Sequence, residues 1–241
     1  MKVLALDSSG MVASVAVAED EKLLAEYTVN YKKTHSQTLL PMLDEIGKMI
    51  DLDLNTVDAI AVAGGPGSFT GLRIGSATAK GLGLALKKPL VSIPTLEGLA
   101  YNLYGTERLI CPMMDARRDQ VYTGLYEFRQ GKLAVLEDQM AVEAVKMVEK
   151  LNERKRPVIL MGDGALAYRK LLEECLTVPY EFAPAHVNQQ RASSLAVLGM
   201  EYVKDGRTET AASHRPDYLR VSQAERERAK RLQAEMEKRH E

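Results

Sequence analysis

The chain has no tryptophan, only three phenylalanines and only two cysteines in 241 residues. Cys111 and Cys175 lack ligand-like spacing, which argues against a disulfide framework or a zinc site and fits a reducing compartment. An excess of either charge is missing as well. A formal net charge of −1 offers no global field for nucleic acid, so any RNA contact must come from a local patch or from a partner. No apolar run approaches the length of a membrane span. The opening MKVLALDSSG reaches Asp7 after four apolar residues, too few for a signal-peptide core. The expected location is therefore the cytoplasm. What is present is 46% hydrophobic residues, enough for one large core or two modest lobes.

Residues 64 to 75 read GGPGSFTGLRIG and follow the apolar run AIAVA. A strand, a glycine turn and a helix N-terminus together place free N–H groups where an anion could sit. The known nucleotide signatures fail at Thr70, which stands where both a P-loop and a dinucleotide fingerprint starting at Gly65 require glycine. A catalytic phosphate loop is thus disfavoured.

Residues 2 to 6 predict a buried strand ending at Asp7, with VASVAVA and LLAEYTV completing a meander. A helix is expected from about Ser36 to Ile50, a strand over Ala59 to Ala63, a helix from about Thr70 to Leu86, a strand near LVSI and a short helix from Thr95 to about Tyr104. The pattern then restarts. LICPMMD ends in Asp115, QVYTGLYEF and LAVLE follow as strands, and then come a helix (about Ala141 to Asn152), a strand (PVILMG) and helices near Leu166 to Glu174 and Ala192 to Val203.

Two mixed-sheet units of this kind predict an α/β chain with the two-lobed architecture of the actin, Hsp70 and sugar-kinase (ASKHA) superfamily. The expected lobes cover residues 1–105 and 106–220, and a charged helix or tail covers 221–241. In that superfamily the acidic residue ending each first strand lies near the nucleotide phosphates and metal. Asp7 and Asp115 hold those positions, although a lone aspartate more often orders the turn that follows it.

Two helices carry surplus packing surface. The apolar residues of the Ser36 to Ile50 helix span roughly 180°, wider than the ~100° stripe needed to face a single core. Gly71, Gly75, Ala79 and Gly83 recur every four residues, and each helical glycine costs about 1 kcal/mol relative to alanine unless close approach offsets it. The groove lies either against this lobe's own sheet or first helix, or against another chain. The second alternative puts a partner interface at Leu39, Met42, Leu43 and Ile46 of the first helix and at Gly71, Leu72, Arg73, Gly75, Ser76, Ala79, Lys80 and Gly83 of the second.

In order and spacing, LALDSSG, HSQTLLP, GGPGSFTGLRIG, DARRDQVYTGLYE and PDYLR closely resemble the TsaB family, also called YeaZ, over nearly the whole chain. The resemblance implies a subunit of the complex that places a threonylcarbamoyl group on the adenosine next to the tRNA anticodon. Its implied partners are the transferase TsaD, with which it pairs through its first two helices, the ATPase TsaE, tRNA within the complex, and a second copy of itself when alone. TsaD has His-Leu-Glu-Gly-His where this chain has Thr95 to Leu99; two histidines four apart on one helix face can reach a single metal ion, and threonine and leucine cannot. The implied role is a non-catalytic scaffold without catalytic residues or metal, in which Asp7 and Asp115 are vestigial and nucleotide binds weakly at most. The competing reading is an autonomous ATP-dependent transferase or small-molecule kinase using those two aspartates. A metalloprotease is disfavoured by the missing histidine pair.

Among the remaining motifs, Arg117 and Arg118 offer cationic forks to tRNA phosphate or a partner carboxylate, or are simply solvated in a hairpin turn. His35 fits a structural role near a helix N-cap better than a ligand contact. GDGA, residues 162 to 165, follows a strand as an adenosine-binding loop does in the superfamily, or is its vestige.

Overall fold

The computed structural model describes residues 1–31 and 34–220; the charged segment expected over 221–241 lies outside the described residues. The chain begins with the meander β1 (Lys2–Asp7), β2 (Val12–Glu19) and β3 (Lys22–Asn30), then α1 (His35–Met49), β4 (Ala59–Gly65), α2 (Phe69–Leu86) and β5 (Leu90–Pro94). These strands form one sheet in the order β3-β2-β1-β4-β5, antiparallel within the meander and parallel across β1, β4 and β5. Its central strands read as continuous apolar runs because helices cover both faces.

After α3 (Thr95–Tyr101) the plan repeats with β6 (Leu109–Asp115), β7 (Gln120–Arg129), β8 (Lys132–Glu143), α4 (Ala144–Arg154), β9 (Val158–Met161), α5 (Asp163–Ala167), α6 (Arg169–Cys175) and β10 (Tyr180–Phe182). The second sheet runs β10-β9-β6-β7-β8, which from the meander edge inward is the same order as the first. The helix expected near 166–174 is two short helices starting at Asp163, and β8 continues to Glu143, so α4 begins at Ala144. Three-residue β10 was not anticipated, since so short a strand carries almost no periodicity.

The expected lobe boundary needs a correction. The last described helix, α7 (Ala192–Lys204), falls within the expected second lobe, yet Ala192, Leu195, Ala196, Leu198 and Met200 pack on Val3, Ala5, Ala61 and Ile93 of the first sheet. The reason is that β1 and β4 are apolar on both faces: α1 and α2 cover one, and α7 must return to cover the other. Gly199 permits the approach, since a Cβ there would stand 3.0 Å from the Ala61 Cβ. Beyond α7, residues 208–220 run back along the first lobe as a strap, bridging Leu90 through Glu209.

The N-terminus of α7 is held by the meander edge. Ser14 Oγ accepts from Ala192 N (2.9 Å), and Glu26 of β3 accepts from Ser193 N (3.1 Å), from Ser193 Oγ (2.7 Å) and from the Arg191 guanidinium. Burial pushes the Glu26 carboxyl up, but the Arg191 and Ser193 hydrogen bonds outweigh it and hold the group below the ordinary glutamate value. Glu26→Ala should cost about 1–3 kcal/mol at neutral pH, the range for a broken charged hydrogen-bond cluster. Because the clamp needs the ionised carboxylate, the deficit in urea unfolding should shrink as the pH falls through the glutamate range.

Candidate functional site

The glycines of residues 64–75 are explained by backbone approach. A Cβ on Gly67 would lie 2.3 Å from Ser9 O, one on Gly71 2.0 Å from Ser8 O, and one on Gly75 2.5 Å from Ser8 Oγ. Gly65, at φ 122°, would meet Asp217 O of the strap at 2.1 Å. The β1–β2 turn and the start of α2 are therefore in direct contact, and hydrogen bonds lock them. Ser68 N donates to Ser9 O (2.7 Å), Ser8 Oγ donates to Gly71 O (2.8 Å), and Ser68 Oγ caps Gly71 N (3.3 Å). His35 has the structural role: its Nε2 pairs with Gly10 O at 2.8 Å and ties α1 to the same turn.

This contact corrects the expected partner interface. Leu39, Met42, Leu43 and Ile46 are all at most 6% exposed, packed in this chain's own core with Leu4, Val15 and Ile60. Gly71, Leu72, Gly75, Ser76, Ala79 and Gly83 are buried as well. Of the twelve expected residues only Arg73 and Lys80 reach the surface, and Lys80 is turned back onto the carbonyls of His214 (3.2 Å) and Ala212 (3.5 Å). Only the middle of the wide α1 arc is taken by the sheet and α2; Leu40 and Met49 at its edges stay exposed.

A different face of the two helices is open. Leu40 is 53% and Leu84 63% exposed, and between them run Gly47, Ile74, Ala77 and Gly81. A Cβ on Gly47 or Gly81 would meet nothing within 4 Å, so no packing inside the chain explains either helical glycine. Leu40, Leu43, Gly47 and Leu82 line a groove between the helices, whose α1 side also carries Asp44, Lys48, Asp51 and Asp53. The available signal was GSATAKGLGLAL, residues 75–86, whose sole charge is Lys80.

Between the lobes lies a hollow of about 360 Å³ lined by residues including Ser9, His35, Ser68, Phe69, Asp115 and Arg117. Asp115 accepts from Arg117 N (2.8 Å) through Oδ1, and its own N–H donates to Asp163 Oδ1 (3.2 Å), so the end of β6 and the GDGA loop meet. Burial pushes the Asp163 carboxyl up. Asp7 is 2% exposed beneath Ser9, accepting from its N (2.8 Å) and Oγ (2.7 Å). Burial, only partly offset by those bonds, raises Asp7 from 3.8 to about 6. Thr95 is buried and accepts from Gly65 N at 3.2 Å, while Leu99 sits in the core with Leu96 and Ile110. Among the described residues no group of three or more His, Cys, Asp or Glu is placed to hold a metal ion.

The hollow carries mixed charge: at the start of α2 Ser68 N donates to Ser9 O and Gly71 N to Ser68 Oγ, while the second lobe contributes Asp115, Asp163 and Arg117 to the lining.

Two matched sheets flanking such a cleft define the class, a two-lobed protein of the actin, Hsp70 and sugar-kinase type. An activator of 2-hydroxyisocaproyl-CoA dehydratase from Clostridium difficile, solved with bound ADPNP, shares this fold at 11% identity with a TM-score of 0.50, over 86% of this chain and 97% of that one. Residues 22–228 match the family described as TsaD, tRNA N6-adenosine threonylcarbamoyltransferase. The tRNA threonylcarbamoyladenosine biosynthesis protein TsaB of Bacillus subtilis (strain 168) is 36% identical over 93% of this chain and 96% of its own length. The Escherichia coli (strain K12) protein of the same name is 28% identical over 91% and 95%. The structure of YeaZ from Pseudomonas aeruginosa superposes with a TM-score of 0.76 at 28% identity, covering 90% of this chain and 99% of that one. The chain belongs to the TsaB (YeaZ) family, related to TsaD. No helix among the described residues is long and apolar enough to cross a membrane.

Two predictions follow from this geometry. An ionised Asp7 costs stability in full above about pH 6 and not at all below its unfolded value of 3.8. Asp7→Asn, which keeps the acceptor for Ser9, should therefore stabilise the protein at pH 7.5 by up to about 3 kcal/mol, the gain vanishing toward pH 4 in thermal melts. Leu43→Glu and Gly75→Leu should unfold the first lobe, seen as lost cooperative melting, because both positions lie inside it.

Proposed function

We propose that this chain is a non-catalytic scaffold subunit for formation of threonylcarbamoyladenosine in tRNA, working in the cytoplasm. It docks on the transferase TsaD through the open face of α1 and α2, presents TsaD to the ATPase TsaE and to tRNA, and pairs with a second copy when TsaD is absent. The observation that carries this reading is the uncharged outer face of α2. Ile74, Ala77, Thr78, Gly81, Leu84 and Ala85 stand there without one charged side chain, and the nearby Lys80 is tethered to the strap. Solvated helix faces are normally charged, and a helical glycine in open space costs about 1 kcal/mol for no return within the chain. Another helix lying on Gly47 and Gly81 supplies that return through close backbone approach. A structurally similar partner can use the same face that a second copy uses, since an isologous patch is self-complementary.

The supporting chemistry is what the cleft lacks. Its lining joins Asp115 and Asp163 to the Arg117 guanidinium, and among the described residues no three metal-ligating groups converge, so this reading assigns turnover to the partner. Leu84→Glu or Gly81→Leu should abolish co-elution with TsaD in gel filtration while leaving the melting temperature within about 2 °C of the parent, as expected for surface changes. Reconstituting threonylcarbamoyl transfer with each component omitted in turn tests the role itself. Modification of tRNA by this chain without TsaD would end the scaffold reading and favour an autonomous ATP-dependent transferase.

A further inference from the structure

At the mouth of the interlobe hollow, side chains from both lobes and the strap form a surface that the docking role does not use. Phe69 of α2 and Tyr218 of the strap are stacked at 4.4 Å with 3° between their planes, and Tyr218 is 36% exposed. The Arg73 guanidinium lies 5.8 Å from the Phe69 ring and 5.9 Å from the Tyr218 ring, and its Nε donates to Tyr218 Oη (3.3 Å). Arg220, at the end of the strap, donates to Ala116 O across the lobe junction. The adjoining turn carries Arg117 and Arg118, both exposed, and Arg117 lines the hollow with Phe69.

These arginines are mostly free of carboxylates, a property that Arg207 and Arg215 share singly elsewhere but that here gathers four guanidinium groups around one hollow. Arg108, Arg154, Arg156 and Arg169 elsewhere in the chain each lie within 3.3 Å of a glutamate. Among the described residues Arg73, Arg118 and Arg220 have no carboxylate partner, and Arg117 reaches Asp115 only at 4.0 Å. The carboxylates around them are Asp115, Asp119, Asp163 and Asp217. Of these, Asp163 is engaged by the Asp115 N–H and Asp217 by Gln139.

The turn's backbone adds an independent observation. Arg117, Arg118 and Asp119 have φ of 65°, 58° and 58°, three consecutive non-glycine residues in the left-handed region. Each costs about 1–2 kcal/mol relative to right-handed backbone, a cost that glycine would avoid. Two arginines therefore persist where the local backbone disfavours any side chain.

We propose that this mouth is an RNA-binding surface, in which Arg73, Arg117, Arg118 and Arg220 take phosphates and the Phe69–Tyr218 stack receives an unpaired base. Unpaired guanidinium groups hold phosphate oxygens in bidentate fashion, and an exposed aromatic platform beside them is how single-stranded loops of RNA are held. An acidic polypeptide could use the cations but has no use for the stack. The inference rests on the proposed role in tRNA modification and names the surface that this chain adds to it.

The test is fluorescence anisotropy of a labelled tRNA transcript against the full chain alone and against its mixture with TsaD, as a function of salt. Arg117→Gly with Arg118→Gly should weaken binding about tenfold or more and reduce the slope of log K against log salt by roughly one to two. The same double variant should melt no lower than the parent, because glycine relieves the left-handed backbone; a merely structural turn would not lose RNA while keeping its stability. Tyr218→Leu should weaken binding without changing the salt slope. Arg108→Ala, a paired arginine just before β6 and so at the other end of that strand from Asp115, should change nothing. Unchanged affinity and slope in the double variant, or no tRNA binding by the parent in either format, overturns the proposal. So does binding of a polyglutamate peptide, but not tRNA, that depends on the same arginines. Gel filtration with TsaD is read separately, so failure of the docking role and failure of the RNA surface give different results.

Discussion

The molecule depends on a backbone-to-backbone contact between the β1–β2 turn and the first turns of α2. Ser8 and Ser9 present carbonyl oxygens that only glycine at 67 and 71 can accept, and Ser68 N–H and Ser8 Oγ close the contact with hydrogen bonds. Because the contact is made by main chain, no side-chain rearrangement can replace it. Its consequences spread in two directions. On the inner side it engages the Ser68 and Gly71 N–H groups at the start of α2. On the outer side it fixes how α2 lies on the sheet, and so which of its faces is left uncovered.

The strap extends the same arrangement. Asp217 N donates to Gly64 O at 2.7 Å and its own carbonyl presses on Gly65, so the chain's late residues seal the loop from outside. Tyr218 then covers Phe69, and Arg220 reaches the second lobe. The cleft is bordered by a packed loop, a strap and a turn bearing two arginines. An open helical face lies on one side of the molecule and a cationic, aromatic rim on another.

The buried Asp7 is costly to hold ionised. Its carboxyl is pushed upward by burial, and the Ser9 hydrogen bonds and the nearby His35 offset this only in part. Asp115 and Asp163 are likewise drawn together by one hydrogen bond at the lining of the hollow.

Periodicity and turn chemistry in the sequence determined most of the fold: both meanders, α1, α2, α7 and the repeated plan follow from local patterns, because apolar alternation and helical spacing are written residue by residue. The burial of Leu99 in the core was legible for the same reason, since it concerns an apolar side chain at helical spacing. Only the tertiary structure decided which surfaces are covered. The stripe Gly71, Gly75, Ala79 and Gly83 and the apolar residues of α1 look the same in sequence whether they meet their own sheet or another molecule, and here the β1–β2 turn and the sheet claim them. The open glycines 47 and 81 and the unpaired arginines of the cleft mouth stood out only once distances to everything else in the chain were fixed, because being uncovered or unpaired is a property of the surroundings and not of the residue.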